Sequence, residues 1–313
     1  MKAIVYNKKA LPCKLVYCDI GKPVPNDNEV LVEIIAASVN AADYRSMKMG
    51  LIPKKKIFGA DIAGRVESAG KNIQQFKTGD DVIGDLADYG FGGFAEYALA
   101  PEKLLVHKPT EISYEDAAAL PMAAVTALQA LRDKGKIQKG HEILIIGSGG
   151  GVGTFAVQLA KYFSAKVTGV CSTKNVEQTY SLGADNVIDY TKVDFTKSNK
   201  SYDIIIAING NYPLYACKRI LNPNGIYVMV GGALSQIFKS ILFGWAMSFG
   251  TKKICFLAAK SGQKDLEFIV NLAKEGKIKP VIDRHFTLDK TAEAFLYLRE
   301  GHASGKVVIN VQV

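Results

Sequence analysis

The chain has 313 residues, of which 48% are hydrophobic and 22% are charged. This composition excludes an intrinsically disordered chain, a collagen and a small disulfide-stapled scaffold. Thirty-nine basic residues against 30 acidic ones give a formal net charge of +9. Because the basic residues are scattered, a solvated basic surface explains this charge, and we expect no nucleic-acid partner.

Neither the cysteines nor the apolar segments indicate secretion or membrane insertion. The five cysteines are dispersed and lack metal or disulfide spacing. Residues 1–6 are typical of a strand, not of a signal peptide. The apolar segment 237–249 is shorter than the about 20 residues that a spanning helix needs. We expect a cytoplasmic protein without stable membrane insertion, in which 237–249 is a lid, a subunit interface or a membrane contact.

The first 122 residues are predicted to be mainly β structure. Segments 30–35, 64–69 and 79–84 combine strand-forming residues with glycine turns. Short strands and turns at this spacing are typical of a barrel or a compact sheet.

The middle of the chain alternates between strand and helix patterns. A helical pattern covers 115–133, which Pro121 should kink or divide. The strands predicted after it are 142–147, 166–171, 186–190, 202–208 and 225–231, and the helices are 151–163, 175–182 and 212–221. Apolar strands without strict alternation are typical of a parallel sheet buried on both faces. This order predicts an α/β fold with a doubly wound, Rossmann-type parallel sheet.

The last part of the chain returns to a mixed pattern. Helices are predicted over 264–275 and 292–299, and a strand over 305–309. We therefore expect a discontinuous first domain, formed by 1–122 plus 262–313, with a nucleotide-binding domain over 123–261 inserted into it.

A glycine-rich segment lies between the strand 142–147 and the helix 151–163. It has the sequence Gly-Ser-Gly-Gly-Gly-Val-Gly over residues 147–153. Small residues allow a tight turn and a close approach of backbone N–H groups to a pyrophosphate, and the helix N-terminus adds a favourable dipole. The segment predicts a dinucleotide-binding loop.

The end of the second strand indicates which dinucleotide is bound. NAD-binding domains place a carboxylate there for the ribose hydroxyls, whereas this chain has Ser172, Thr173 and Lys174. These groups can hydrogen-bond and neutralise a 2′-phosphate, which a carboxylate would repel. NADPH is therefore favoured over NADH. The same lack of a carboxylate argues against an S-adenosylmethionine methyltransferase.

Several motifs, in order and spacing, resemble a known family. They are Ser-Val-Asn-Ala-Ala-Asp-Tyr (38–44), Gly-Ala-Asp-Ile-Ala-Gly (59–64), Gly-Asp-Asp-Val (79–82), Gly-Gly-Phe-Ala-Glu-Tyr (92–97), Ala-Ala-Leu-Pro (118–121), the glycine loop, Leu-Gly-Ala-Asp (182–185), Val-Ile-Asp-Tyr (187–190) and Gly-His-Ala-Ser-Gly-Lys (301–306). Over essentially its whole length the chain resembles a zinc-free medium-chain dehydrogenase/reductase of the quinone oxidoreductase, or zeta-crystallin-like, branch.

This resemblance implies a Rossmann domain inserted in a GroES-like β-rich catalytic domain, and a homodimer. It also implies roles for particular residues. Asn40 and Thr126 would lie near the nicotinamide. The residues implied in the pyrophosphate loop are Ser148, Gly150, Gly151, Val152 and Gly153. The residues implied at the adenosine phosphate are Ser172, Lys174, Asn175 and Tyr190. Those implied along the rest of the cofactor are Asn209, Gly231, Gly232 and Phe256.

The metal ligands of zinc-dependent relatives are replaced in this sequence. Such relatives carry Cys at the position of Asn40 and His at that of Ala60, and a four-cysteine lobe where residues 85–110 here have no cysteine. The four histidines are far apart and show no ligand spacing. We therefore expect no metal.

The absence of a Lewis acid favours reduction of an activated acceptor. Quinones and α,β-unsaturated carbonyls accept hydride at carbon and place negative charge on oxygen, which needs only hydrogen-bond donors. We expect NADPH-dependent reduction of such an acceptor, with Asn40 and Tyr44 as the candidate catalytic residues and Asp43 stabilising the Asn40 loop. The alternatives left open are a structural tyrosine at Tyr44 and a non-catalytic, NADPH-binding structural or regulatory module.

Overall fold

A computed structural model describes residues 1–10, 14–208, 212–231 and 251–312. Its strands are β1 Lys2–Tyr6, β2 Leu15–Asp19, β3 Val30–Val39, β4 Asp61–Ala69, β5 Asp81–Asp85, β6 Tyr97–Ala100, β7 Leu105–His107, β8 Glu142–Ile146, β9 Lys166–Cys171, β10 Asn186–Asp189, β11 Tyr202–Ala207, β12 Leu221–Met229, β13 Lys253–Phe256, β14 Ile282–Thr287 and β15 Lys306–Asn310. Its α-helices are α1 Ala41–Lys48, α2 Tyr114–Ala119, α3 Pro121–Gln129, α4 Gly151–Tyr162, α5 Val176–Ser181, α6 Leu214–Arg219, α7 Gln263–Lys274 and α8 Thr291–Arg299.

The chain forms two compact units. Unit 1 consists of Met1–Val125 and Lys260–Val313, and unit 2 of Thr126–Ala259. Unit 1 is thus discontinuous in sequence, and unit 2 is a single insertion within it.

The main sheet of unit 1 is built around β3. Its strand order is β14-β15-β3-β4-β5-β7, with β6 also paired to β3, and β15, β4 and β6 all run antiparallel to β3. The register of β3 against β4 shifts between Ile34 and Ala36, and β3 continues to Val39, four residues beyond the predicted strand. This extension carries Ser38 to the end of the sheet and leaves Asn40 directly after it.

Helix α1, which was not predicted from the sequence, begins at Ala41, and Asn40 is its N-cap. Asp43 accepts the backbone N–H of Asn40 at 2.8 Å and so stabilises the first turn. This contact confirms the expected structural role of Asp43. The helix has no clear apolar stripe, because the residue that it buries is this aspartate.

The sheet of unit 2 has the strand order β10-β9-β8-β11-β12-β13, and every neighbouring pair is parallel. Counted from β8, the order is 3-2-1-4-5-6, which is that of a Rossmann fold. The α/β fold class with a doubly wound parallel sheet is therefore confirmed. The strands are buried on both faces; Ile143, Leu144 and Ile145 of β8, for example, have no exposed surface.

Some element boundaries differ from the predicted ones. Pro121 is the first residue of α3, where its missing N–H costs nothing. A π-helical turn, Ala130–Lys134, follows this helix. Strand β12 begins at Leu221, four residues before the predicted start, and β13 is not predicted at all. Among the described residues, no helix is both long and apolar enough to cross a membrane.

Candidate functional site

The predicted pyrophosphate loop connects β8 to α4. Gly147 has a φ of 90°, a left-handed conformation that glycine adopts without strain. A Cβ at Gly153 would overlap the carbonyl oxygen of Gly147, and a Cβ at Gly149 would overlap the side chain of Asn175. The close packing of the loop therefore requires both glycines. Gly150 has room, since its Cβ would lie 3.8 Å from the nearest atom.

The first turn of α4 presents free backbone amides. The N–H groups of Gly151, Val152 and Gly153 have no acceptor within the described part of the chain. Helix α4 is 12 residues long, so its dipole adds partial positive charge at this end. A helix end of this kind binds phosphate groups, and the loop geometry suits a pyrophosphate.

Ser148 shapes this loop from the inside. Its side chain is fully buried, and its hydroxyl lies 3.3 Å from Oγ1 of Thr179. Its backbone N–H donates to the carbonyl of Val170 at 3.1 Å. The hydroxyl and the N–H of Ser148 thus both have partners inside unit 2, and these contacts fix the turn.

The residues predicted at the end of β9 lie in different environments. Asn175 is buried against Gly149, and its Oδ1 atom has no hydrogen-bond partner among the described residues. A buried amide oxygen without a donor is costly, and a ligand hydroxyl would relieve that cost. Ser172 is partly buried, and Lys174 is exposed. Tyr190 is half exposed, and its backbone N–H donates to the last carbonyl of β9.

A carboxylate that the sequence analysis missed lies beside these residues. Asp189 ends β10, opposite Cys171 of β9. It accepts hydrogen bonds from the hydroxyls of Thr173 at 2.6 Å and Thr191 at 2.7 Å. These bonds, above all the one from Thr173, hold the pKa of Asp189 below its usual value. The sequence did contain a signal for this contact, because an aspartate lies one residue before the end of the predicted strand 186–190. Neighbouring parallel strands end at the same edge of a sheet, so this aspartate could be expected near the end of β9.

The contact with Asp189 changes what Thr173 can do. A hydroxyl has a single hydrogen, and the Thr173 hydroxyl donates it to Asp189. Thr173 is left with lone pairs, which do not attract a phosphate. The expectation that Thr173 donates to a 2′-phosphate is therefore wrong for this arrangement.

The other predicted cofactor residues are spread over unit 2. Thr126 is the first residue of the unit and lies on α3, partly buried. Gly231 follows β12 and is buried, and Phe256 ends β13 and packs against the core of the unit. Asn209 and Gly232 lie outside the described residues, as does the apolar segment 237–249.

In unit 1, one edge of the main sheet carries a row of polar side chains, at the ends of some strands and the beginnings of their antiparallel neighbours. Strand β15 begins with Lys306, whose ammonium reaches Asn40 at the end of the antiparallel β3. Strand β4, on the other side of β3, begins with Asp61, and β5 ends with Asp85 opposite Asp61. The sheet register thus brings together side chains that are up to 266 positions apart in sequence.

Asp61 is the centre of this row. Its Oδ2 atom accepts hydrogen bonds from the Ser38 hydroxyl at 2.9 Å, the Asn40 amide at 2.8 Å and the Lys306 ammonium at 3.3 Å. Its Oδ1 atom accepts the backbone N–H of Met122 at 3.0 Å. Lys306 also donates to Oδ1 of Asn40 at 2.6 Å. We call the buried side chains of Ser38, Asn40, Asp61 and Lys306 the buried polar network.

Two further buried carboxyl groups lie near this network. The two oxygens of Asp43 accept the backbone N–H groups of Asn40 at 2.8 Å and Gly59 at 3.1 Å. Burial raises the pKa of Asp43 to about 7 and that of Asp85 to about 6, and the charge of Asp61 adds to both shifts. Both groups therefore titrate close to neutral pH.

Tyr44, the second candidate catalytic residue, lies on α1. Its ring is partly buried and packs against the core of unit 1. Within the described ranges its hydroxyl has no hydrogen-bond partner, so it can donate to a ligand. Nowhere in those ranges do three or more His, Cys, Asp or Glu side chains form a group that could hold a metal ion.

Two family profiles match this chain. A profile described as the alcohol dehydrogenase GroES-like domain covers residues 26–110. A profile described as zinc-binding dehydrogenase covers residues 182–309. The first range lies within unit 1, and the second continues from unit 2 into the returning part of unit 1.

Similar proteins extend these matches to nearly the whole chain. A chloroplast envelope quinone oxidoreductase homolog of Arabidopsis thaliana is 36% identical over 94% of this chain and 93% of its own. A 2-methylene-furan-3-one reductase of Solanum lycopersicum is 33% identical over 93% of this chain and 74% of its own. The solved quinone oxidoreductase of Coxiella burnetii aligns with a TM-score of 0.89 at 28% identity, covering 100% of this chain and 99% of its own.

Proposed function

Since the chain belongs to the medium-chain dehydrogenase/reductase family, in its quinone oxidoreductase branch, we propose that it is an NADPH-dependent oxidoreductase. Its substrate class would be a small quinone or an α,β-unsaturated carbonyl compound, reduced by hydride transfer. The relatives named above include a quinone oxidoreductase homolog and a reductase of an unsaturated ketone. The observation that carries the proposal is the glycine loop with its free amides, placed where the strand order of unit 2 reverses.

The described residues of unit 2 fit a dinucleotide. The amides of Gly151, Val152 and Gly153 would hold the pyrophosphate, on a turn that Ser148 and Gly150 shape. The unpartnered Oδ1 atom of Asn175 would accept a ribose hydroxyl. For Thr126, Gly231 and Phe256, and for Asn209 and Gly232 outside the described residues, the cofactor role is proposed on family resemblance.

The preference for NADPH rests on the residues around the end of β9. We call Ser172, Thr173, Lys174, Asp189 and Tyr190 the adenosine-end residues. Ser172, Lys174 and Tyr190 supply a hydroxyl, an ammonium and a phenol for a 2′-phosphate. Asp189 opposes it, but its charge is partly offset by the Thr173 and Thr191 hydroxyls and by Lys192, whose ammonium lies 3.8 Å away.

We propose that zinc takes no part in the reaction. Zinc in proteins uses thiolate, imidazole and carboxylate ligands in a tetrahedral set. Asn40 and Ala60 supply an amide and a methyl group where zinc-dependent relatives have ligands. The ammonium of Lys306, 2.6 Å from Asn40, repels a divalent cation at this position. Metal analysis of the purified protein should find well under one zinc per chain.

The chemistry that remains for the protein is positioning and charge stabilisation. Bound NADPH supplies the hydride. Hydride addition to a quinone or a conjugated carbonyl leaves negative charge on oxygen, which hydrogen-bond donors stabilise in a site that excludes water. Tyr44 has a hydroxyl without a partner among the described residues and would donate to this charge. Asn40, whose carboxamide Asp61 and Lys306 hold in a fixed direction, would serve to position the reactants. The proton that completes the reduction comes from Tyr44 or from solvent.

The proposal is tested by NADPH oxidation, followed at 340 nm, with a panel of quinones, enones and enals. We expect acceptor-dependent oxidation. Tight NADPH binding without such oxidation would instead identify the alternative, a structural or regulatory NADPH-binding module. Light scattering tests the homodimer that the family resemblance implies.

The cofactor preference is tested by reversing one charge. Lys174→Asp should lower the ratio of NADPH to NADH efficiency (kcat/KM) about 10-fold or more, because a carboxylate repels the 2′-phosphate and attracts ribose hydroxyls. Lys139→Asp is the matched control, since it makes the same charge change at an exposed position before β8. An unchanged ratio in Lys174→Asp would refute the role of Lys174.

A further inference from the structure

Lys306 is an unusual lysine because its charge is buried. Its relative exposure is 3%, and an ammonium removed from water is costly unless it is paired and hydrogen-bonded. Its described partners are Oδ1 of Asn40 at 2.6 Å and Oδ2 of Asp61 at 3.3 Å. These two contacts therefore compensate the cost of burying the Lys306 ammonium.

The two partners of Lys306 also fix the direction of the Asn40 carboxamide. Oδ1 of Asn40 faces the ammonium, and Nδ2 donates to Oδ2 of Asp61 at 2.8 Å. A flipped amide would place its NH2 group against the ammonium and its oxygen against the carboxylate. Both contacts would then be repulsive, so the pair of Lys306 and Asp61 accepts one amide orientation only.

The backbone of Asn40 is held separately from its side chain. Asp43 accepts the N–H of Asn40 at 2.8 Å at the start of α1, and Asp43 makes no described hydrogen bond to Lys306. Loss of Lys306 would therefore remove the partner of Oδ1 and leave the carboxamide held only through Nδ2, by Asp61 and the Ser38 carbonyl, while Asn40 keeps its place at the N-terminus of α1.

We infer that Lys306 is a positioning residue, which acts through Asn40 by holding its carboxamide in a single orientation. The kinetic consequence of this inference rests on the proposed function. The structural consequence does not, because it concerns the orientation of an amide in the ligand-free protein.

The structural consequence is tested by NMR on the ligand-free full chain labelled with ¹⁵N-asparagine. The side-chain signal of Asn40 is assigned by its loss in Asn40→Ala. We expect Lys306→Met to raise the hydrogen-exchange rate of this carboxamide at least 10-fold and to shift its signal. Unchanged exchange in Lys306→Met would overturn the inference, whether or not the protein reduces any acceptor.

Lys108→Met is the matched control for removal of a buried lysine. Lys108 has a relative exposure of 9% and donates to the backbone carbonyls of Pro109 at 3.0 Å and Ile112 at 2.7 Å. It contacts no member of the buried polar network through these bonds. Its removal should leave the Asn40 exchange rate within twofold of the wild-type value; an equal rise in both variants would identify general loosening of unit 1 and overturn the inference.

A double-mutant cycle on the reaction separates positioning from a merely structural role. Lys306→Met should lower kcat about 10-fold or more, with the dissociation constant of NADPH changed less than threefold. In the Asn40→Ala background the same substitution should cause no further loss, because the group that Lys306 positions is gone. Independent losses that multiply would overturn the inference.

One more variant keeps the test decisive if Lys306→Met does not fold. Lys306→Met combined with Asp61→Asn removes both charges of the pair and leaves neither unpaired. It should also show rapid exchange of the Asn40 carboxamide. Wild-type protection of that amide in the double variant would overturn the inference.

Discussion

The buried polar network and the adenosine-end residues handle charge in opposite ways. In the network, Asp61 and Lys306 are out of water, and each has fixed partners. At the adenosine end, Lys174 is exposed and Tyr190 is half exposed. Charge interactions are strong in the interior and weak at the surface, where water and salt screen them. The network therefore fixes one geometry, whereas the adenosine end, under the proposed function, would adjust the affinity for the cofactor.

The comparison is tested most severely by removing the central charge of the network. Asp61→Asn leaves Lys306 without its hydrogen-bonded counter-charge, and breaking one side of such a pair costs about 3–5 kcal/mol. At about 2 °C per kcal/mol for a protein of this size, differential scanning calorimetry should show a fall in Tm of about 6–10 °C.

An exposed ion pair provides the control for Asp61. Asp27 lies 2.9 Å from Lys71, and more than half of each side chain is exposed. Asp27→Asn should change Tm by less than about 2 °C, because such pairs are worth about 0–1 kcal/mol. Similar Tm changes in the two variants would show that burial does not distinguish these sites.

The glycine loop of unit 2 allows a similar comparison between a tightly packed position, Gly153, and an open one, Gly150. Gly153→Ala places a methyl group on the carbonyl oxygen of Gly147; overpacking of this kind costs about 1–3 kcal/mol. We expect Tm of the ligand-free protein to fall by about 2–6 °C. Gly150→Ala, with 3.8 Å of room, should leave Tm within about 1 °C. Equal tolerance of both substitutions would contradict the loop geometry.

The buried carboxyl groups beside the network should make stability depend on pH. Burial raises the pKa of Asp43 in the folded protein from the usual 3.8 to about 7, with Asp61 raising it and Lys306 lowering it. Between these values the folded state binds more protons than the unfolded state, so the free energy of unfolding falls as pH rises from about 4 through 7.

Asp43→Asn tests this dependence, since an amide does not titrate. We expect the fall in Tm between pH 5 and pH 8 to be smaller in Asp43→Asn than in the wild type by at least about 2 °C, the effect of about 1 kcal/mol. Asp85, whose pKa is raised to about 6, still titrates in this variant, so part of the dependence of Tm on pH should remain. Parallel pH profiles of the two proteins would count against the raised pKa of Asp43.

The Rossmann half of the fold can be predicted because its signals are local. Apolar strands alternate with amphipathic helices, and β9 has the predicted bounds of 166–171. The glycine loop lies directly between β8 and α4, so its position follows from its neighbours in sequence. Strand β13 was not predicted because it has only four residues. A segment of that length is too short to show a hydrophobic periodicity typical of a strand.

The buried polar network could not be predicted in the same way. Asn40, Asp61 and Lys306 meet only through the register of β15, β3 and β4, and no local pattern encodes that register. Helix α1 was missed because it buries an aspartate and lacks an apolar stripe. Its one signal is the aspartate three residues after Asn40, which stabilises the first turn.

The smallest effect is expected from a substitution of Asp189, which tests whether a carboxylate at the adenosine end influences the choice of cofactor. Asp189 lies beside Thr173 at the adenosine end, so its negative charge would oppose the 2′-phosphate of the proposed NADPH. Asp189→Asn removes that charge and keeps an oxygen that accepts hydrogen bonds. We expect the ratio of NADPH to NADH efficiency to rise about 3- to 10-fold, mainly through a lower dissociation constant for NADPH measured by fluorescence quenching.

A second aspartate of unit 2 reproduces the local contacts of Asp189 away from this site. Asp194 accepts from the hydroxyl and the backbone N–H of Thr196 and lies 3.7 Å from Lys197, as Asp189 does with Thr191 and a lysine three residues on. Asp194→Asn should therefore leave the cofactor ratio unchanged. If both substitutions raise the ratio equally, the effect comes from net charge alone, and the adenosine end does not select the cofactor through Asp189. If only Asp189→Asn raises it, a partly buried carboxylate limits the preference for NADPH that we propose for Lys174.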